Sequence, residues 1–102
     1  MRGGPWAIDE LLRVQAAANE LGRSRMAVVV SRRNGPAVRR NRLKRLCREA
    51  FRLARHELPA GYDYVLQPRV GAEPTLAGLS ASVRLLAARV VSEDERRRRP
   101  ES

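Results

Sequence analysis

The stretch from Ala37 to Arg55, AVRRNRLKRLCREAFRLAR, decides how this chain is read. Wound at about 100° per residue, it sorts into two faces. Leu43, Leu46, Cys47, Ala50, Phe51, Leu53, Ala54 and the following Leu58 fall within an arc of roughly 160°, wide enough to pack on a sheet. Lys44, Arg45, Arg48, Arg52 and Arg55 fall opposite, with Arg42 at the edge. Arg39, Arg40 and Asn41 occupy the first turn, where the helix dipole is already positive and cations are locally unfavourable. That cost points to an anionic partner at the helix N-terminus, where arginines and backbone N–H groups together make a phosphate site.

The charge of the whole chain is concentrated here. Of 102 residues with a net charge of +10, the third from Arg23 to Arg55 holds twelve of the 21 basic residues and one acid, Glu49. The rest holds nine basic residues and ten acids. The excess is a patch, which suits a polyanion better than it suits general solubility. A solvated surface helix would intersperse acids for i,i+4 pairing, and like charges at that spacing repel by about 0.2–0.5 kcal/mol per pair. All but one of the basic residues are arginine, the side chain suited to planar, bidentate phosphate contact. Biased codon usage would give the same imbalance, so the weight rests on position.

Outward from the helix, Pro36 stands near the place where proline is best tolerated, and Asn34-Gly35 supplies turn residues before it. Ser31-Arg32-Arg33 makes a basic loop. The run Met26-Ala27-Val28-Val29-Val30 reads as a strand buried on both faces. After the helix, Pro59 and Gly61 end it near Leu58, and Tyr62 to Leu66 reads as a second strand ended by Pro68. Strand, helix, strand is therefore the core of a small α+β domain. Thr75 is an expected N-cap for a last helix with Leu76, Leu79, Val83, Leu86 and Val90 on one face. From Pro5 to Gly22 the signals conflict. Ile8, Leu11, Leu12, Gln15 and Ala16 have helical spacing, whereas Leu12, Val14 and Ala16 alternate as in a strand; pattern alone prefers the helix. Residues 1–4 read as a frayed start and 92–102 as a disordered charged tail.

Enzyme chemistry of the protein's own is not indicated. His56 has neither a second histidine for a metal site nor a nucleophile to serve, so a solvent-facing role is the better reading. No carboxylate pair, glycine-rich phosphate loop or Cys/His cluster stands out. Asp63 reads as the anchor of a strand end. Tyr62 and Tyr64 share one strand face, from which they would either stack on bases or pack against a helix. Trp6 stands too near the start of the chain to be given a role. The lone Cys47 has no internal disulfide partner and fits a reducing, cytoplasmic setting. No apolar run approaches the roughly 20 residues of a membrane span.

From Gly35 to Arg52 the order of residues is more specific than basicity. Ala37-Val38, then Arg40-Asn41-Arg42, Lys44-Arg45, Arg48-Glu49 and Phe51 resemble the signature of the bacterial ribonuclease P protein component. The likeness runs from about residue 19 to 91, through Arg25 to Arg33 on one side and Asp63, Val65 and Arg69 on the other.

The resemblance implies a two-layer α+β sandwich of the ribosomal protein S5 domain 2-like kind. Its sheet would have three to four strands, with an unusual left-handed strand-helix-strand crossover. Residues 23–91 would be the RNA-binding core, and 1–22 a divergent or truncated segment without the family's aromatic N-terminal helix. Family order would place a strand near Leu11 to Gln15. The resemblance also implies that Arg40, Asn41, Arg42, Lys44, Arg45 and Arg48 contact a catalytic RNA, with Arg39 a local addition and Arg32, Arg33 and Arg52 flanking. The sheet face opposite, with Tyr62, Tyr64 and Arg69 as candidate contacts, would take the single-stranded 5′ leader of precursor tRNA. Mg²⁺-dependent hydrolysis would belong to the RNA, with no metal site in the protein and no obligate protein partner. A general RNA-binding or ribosome-associated protein is the alternative.

Overall fold

The computed structural model describes residues 4–98. Four strands and two long helices follow one another as β1 (Trp6–Ile8), β2 (Leu12–Ala18), β3 (Arg25–Val28), α1 (Ala37–Ala54), β4 (Tyr62–Pro68) and α2 (Leu76–Arg98). The sheet order is β1-β2-β4-β3, with β3 and β4 parallel and the other neighbours antiparallel. Helix α1 is thus the crossover between adjacent parallel strands. Both helices cover one face of the sheet, and among the described residues no layer covers the other face.

The N-terminal segment is sheet, which corrects the helical reading of Pro5 to Gly22. Leu12, Val14 and Ala16 are fully buried and alternate with Arg13, Gln15 and Ala17 on the far face. Seven register pairs with β4, from Leu12↔Pro68 to Ala18↔Tyr62, hold them there. Helix propensity differs among ordinary residues by only about 0.7 kcal/mol, whereas burying one Leu or Val side chain stabilises by about 1.5–3 kcal/mol. The second term wins. Asp9 fixes the turn between β1 and β2, its Oδ1 accepting from the N–H groups of Leu11 (2.9 Å) and Leu12 (3.0 Å).

In α1 the buried residues are Leu43, Cys47, Ala50, Phe51 and Ala54, with Leu46 partly buried. Of the expected apolar arc only Leu53 turns outward. The helix gives way to a 3-10 turn at Arg55–Glu57, and Leu58 is extended and buried. Gly61, at φ +83°, then turns the chain into β4 in a backbone region that residues with a Cβ seldom enter. Thr75 caps α2 as its position suggests, its Oγ1 accepting from Gly78 N at 3.0 Å. Leu79, Val83, Leu86 and Val90 face the sheet from that helix.

Two further expectations change. Strand β3 is an edge strand and is not buried on both faces: Arg25 and Ala27 are exposed, and Val29 just beyond it is 49% exposed. With helices on one side only, half of its side chains have nothing to cover them. The disordered tail is helical from Ser92 to Arg98. Ion pairs of Glu93 with Arg96 and Arg97, and of Asp94 with Arg98, link successive turns. Tyr62 also donates to Asp94 Oδ2 at 2.9 Å, tying that end of the helix to β4. Expectations for 1–3 and 99–102 lie outside the described residues.

Candidate nucleic-acid interface

Side chains at positions 41, 42, 45 and 48 of α1 project away from the sheet because 43, 47, 50, 51 and 54 are held against it. Asn41, Lys44, Arg45, Arg48, Glu49 and Arg52 line a shallow groove of about 440 Å³ along this outer face. Among the described residues, Arg42, Lys44, Arg45 and Arg48 have no acid within ion-pair distance. Glu49, the helix's one acid, is bound to Arg52. That hydrogen bond holds the Glu49 carboxyl below its ordinary range. The result is a surface of four uncompensated cations and one amide, groups of the kind that contact phosphate backbones.

The other expected contacts divide. Arg39 is turned toward the loop after β4, donating to Ala72 O at 3.0 Å and pairing with Glu73 at 3.1 Å. Arg40 folds back to donate to Gly35 O at 3.1 Å. At the entry to α1 no side chain caps the helix and the first turn has no acid, so its first N–H groups have no side-chain acceptor from the cap. Arg32 and Arg33 lie exposed on a 3-10 turn. Arg33 falls in a separate groove on the open sheet face with Ile8, Arg13, Gln67, Arg69 and Val70. Arg69 belongs there too, braced by donating to Asp9 O at 3.1 Å.

Tyr62 and Tyr64 are not available on that face. Both point into the helix layer, 8% and 1% exposed. Tyr64 donates to Pro59 O at 2.7 Å, and its ring lies 5.9 Å from Phe51. Burial raises its hydroxyl's pKa. Period-two alternation put the two tyrosines on one face without saying which, and apolar packing chose the inner one.

The outer residue between them, Asp63, accepts from Arg25 at 2.8 and 2.7 Å and from Asn19 at 2.8 Å. These bonds bring its pKa down to about 2. Asp63 thereby anchors the strand end and neutralises Arg25. The sequence reading missed Arg13, which the open face does present, its guanidinium 4.7 Å above the Trp6 ring. Reading β2 as a strand would have placed it there.

Cys47 is buried, and desolvation pushes its thiol up to about 12. His56 is exposed. Among the described residues there is no group of three or more His, Cys, Asp or Glu arranged to hold a metal. No helix there is long and apolar enough to cross a membrane.

A two-layer α+β sandwich whose parallel strands are joined by an arginine-rich helix defines the class of small domain to which this chain belongs. Within that class, the family model described as Ribonuclease P matches residues 2–91, and the chain belongs to this family. It is similar to the ribonuclease P protein component of Pelotomaculum thermopropionicum, 44% identical over 68 residues, covering 67% of this chain and 61% of that one. With the component from Syntrophobacter fumaroxidans it is 47% identical over 75 residues, 72% of this chain and 62% of the relative. The chain thus spans about three fifths of the length of these curated relatives. The solved RNase P protein from Thermotoga maritima superposes with a TM-score of 0.64 at 32% identity, covering 99% of this chain and 87% of that one. The Staphylococcus aureus RNase P protein mutant reaches 0.71 at 23% identity, covering 92% and 77%, and shows the fold alone.

Proposed function

We propose that this chain is the protein subunit of a ribonuclease P holoenzyme, binding its catalytic RNA through the outer face of α1 and assisting removal of 5′ leaders from precursor tRNA. The observation that carries this is the uncompensated set Arg42, Lys44, Arg45 and Arg48 beside Asn41, in the register that resembles the family signature. Arginines at that spacing meet successive phosphates of a folded RNA, while Asn41 adds a neutral hydrogen-bonding group. On the opposite surface, Arg13, Arg33 and Arg69 give the open sheet face a positive groove for a single-stranded leader. Mg²⁺ and the hydrolytic step belong, on this reading, to the RNA. The protein contributes affinity and neutralises phosphate charge, in a cytoplasmic setting. Reconstitution with the cognate RNA tests it: the protein is expected to stimulate precursor-tRNA cleavage at low Mg²⁺. A folded protein that binds the RNA without stimulating cleavage would leave a general RNA-binding role instead.

A further inference from the structure

The sheet has two outer strands, and their edges are finished differently. Strand β1 is three residues long and is entered from Pro5. Strand β3, which pairs only with β4 among the described residues, has no such stop. Its pairing runs one residue past Val28, because Val29 N donates to Leu66 O at 2.9 Å. That bond aims the Val29 N–H at β4, so by the alternation of a strand the N–H and C=O groups of Met26, Val28 and Val30 point out from the sheet. Such a row of donors and acceptors is a template for another strand unless charge, proline or a bulge blocks it. From Met26 to Val30 there is no charged residue and no proline. Arg25, at the start of the strand, is neutralised by Asp63 at 2.7 Å.

The side chains at this edge are equally unfinished. Met26 and Val28 pack against the core yet are only partly buried, as is Leu46 of α1. An added strand would cover such apolar groups with its own alternate residues. Charge decides what that strand is. Arg23 precedes the edge, and Arg32 and Arg33 follow it. All three are exposed, and none has an acid within ion-pair distance among the described residues. Two copies of β3 paired two-fold about Val28 would set Arg23 opposite Arg33 and Ser24 opposite Arg32, so a second copy of this chain is repelled. Carboxylates at those places would be attracted. A nucleic-acid backbone has no ladder of amides to pair with the edge.

We infer that the β3 edge is a docking site for an extended acidic segment of another protein, which adds an outer strand beside Met26 to Val30 and sets its carboxylates on Arg23, Arg32 and Arg33. The inference goes beyond the proposed function and holds whether or not α1 binds RNA.

The probe is a blocked peptide alternating glutamate with valine. Fluorescence anisotropy of the labelled peptide with the intact protein should show saturable binding. Hydrogen exchange followed by NMR should show the amides of Met26, Val28 and Val30 unprotected in the free protein and slowed on saturation. Replacing the peptide's glutamates by lysine should abolish binding. Arg32→Glu combined with Arg33→Glu should weaken it about tenfold or more. A further arm uses the unmodified protein alone. In an added strand only alternate amides face β3, so N-methylating all the peptide's valines, or all its glutamates, should abolish binding in one case and spare it in the other. Equal effects of the two methylations would reduce the contact to charge and overturn the inference. Protection of the three amides by a short single-stranded oligoribonucleotide and not by the peptide overturns it too, as does their protection in a dimer of the free protein.

Discussion

The two helices lie side by side on one face of the sheet and treat their arginines in opposite ways. Along α1, five cations, Arg40, Arg42, Lys44, Arg45 and Arg48, have no acid partner among the described residues, and Arg52 alone is paired within the helix. Along α2, Arg84 pairs with Glu57, Arg96 and Arg97 with Glu93, and Arg98 with Asp94. Arginine content is similar, but α1 keeps most of its charge available, whereas among the described residues of α2 Arg89 alone has no ion pair. On the proposed reading, pairing, and not abundance, marks the surface made for a polyanion. A paired arginine has already exchanged water for a carboxylate, and a phosphate must displace that partner to gain the contact.

The largest effect should come from testing that contrast directly. On the proposed reading, Arg42→Ala with Arg45→Ala should weaken binding to the cognate RNA by about 2–6 kcal/mol and lower the salt slope by about two. Arg96→Ala with Arg97→Ala should change neither appreciably. A filter-binding titration over a range of salt measures both, and equal losses from the two helices would end the distinction.

Arg39 sharpens the comparison, since it lies on α1 yet is paired like the arginines of α2. Arg39→Ala should cost a few tenths to about 1 kcal/mol in urea unfolding and leave the salt slope of RNA binding unchanged. A slope lower by about one would restore Arg39 to the set of contacts.

The smallest effect concerns Asp63, the acid that compensates Arg25 on the open face. Its folded pKa of about 2 lies below the ordinary value of 3.8. Its ionised bonds to Arg25 and Asn19 therefore stabilise the fold above about pH 4, and that contribution is lost as pH falls through about 2. Thermal melts of wild type and Asp63→Asn should differ at neutral pH and converge between pH 4 and 2. A gap that stays constant with pH would mean that the carboxylate's charge contributes nothing.

Much of this architecture was legible in the chain because its signals were local. The amphipathic α1, the Thr75 cap, Gly61 and the β4 run each depend on residues a few positions apart, and each stands where expected. The rest depended on partners distant in sequence. Leu12 to Ala18 carries both periodicities, and what selected the strand was β4, about fifty residues later. The inward face of Tyr62 and Tyr64 follows from which side the helices cover, which alternation does not encode. Ser92 to Arg98 contains no apolar residue, so composition suggested a tail; the ion pairs and the Tyr62 to Asp94 bond that hold it appear only in three dimensions. At the interface the same rule applies. Arg42, Lys44, Arg45 and Arg48 were legible from helix winding, while the diversion of Arg39 and the Trp6 and Arg13 pair required tertiary contacts.

The burial of Cys47 gives the molecule a built-in clock. Thiol reagents attack the thiolate, and with the pKa raised to about 12 almost none is present in the folded chain at neutral pH. Its sulfur also sits where α1 meets the sheet, so alkylation must wait for the two layers to part. The rate at which this single thiol is labelled therefore measures how often the sandwich opens, and any anion that settles along α1 should slow it.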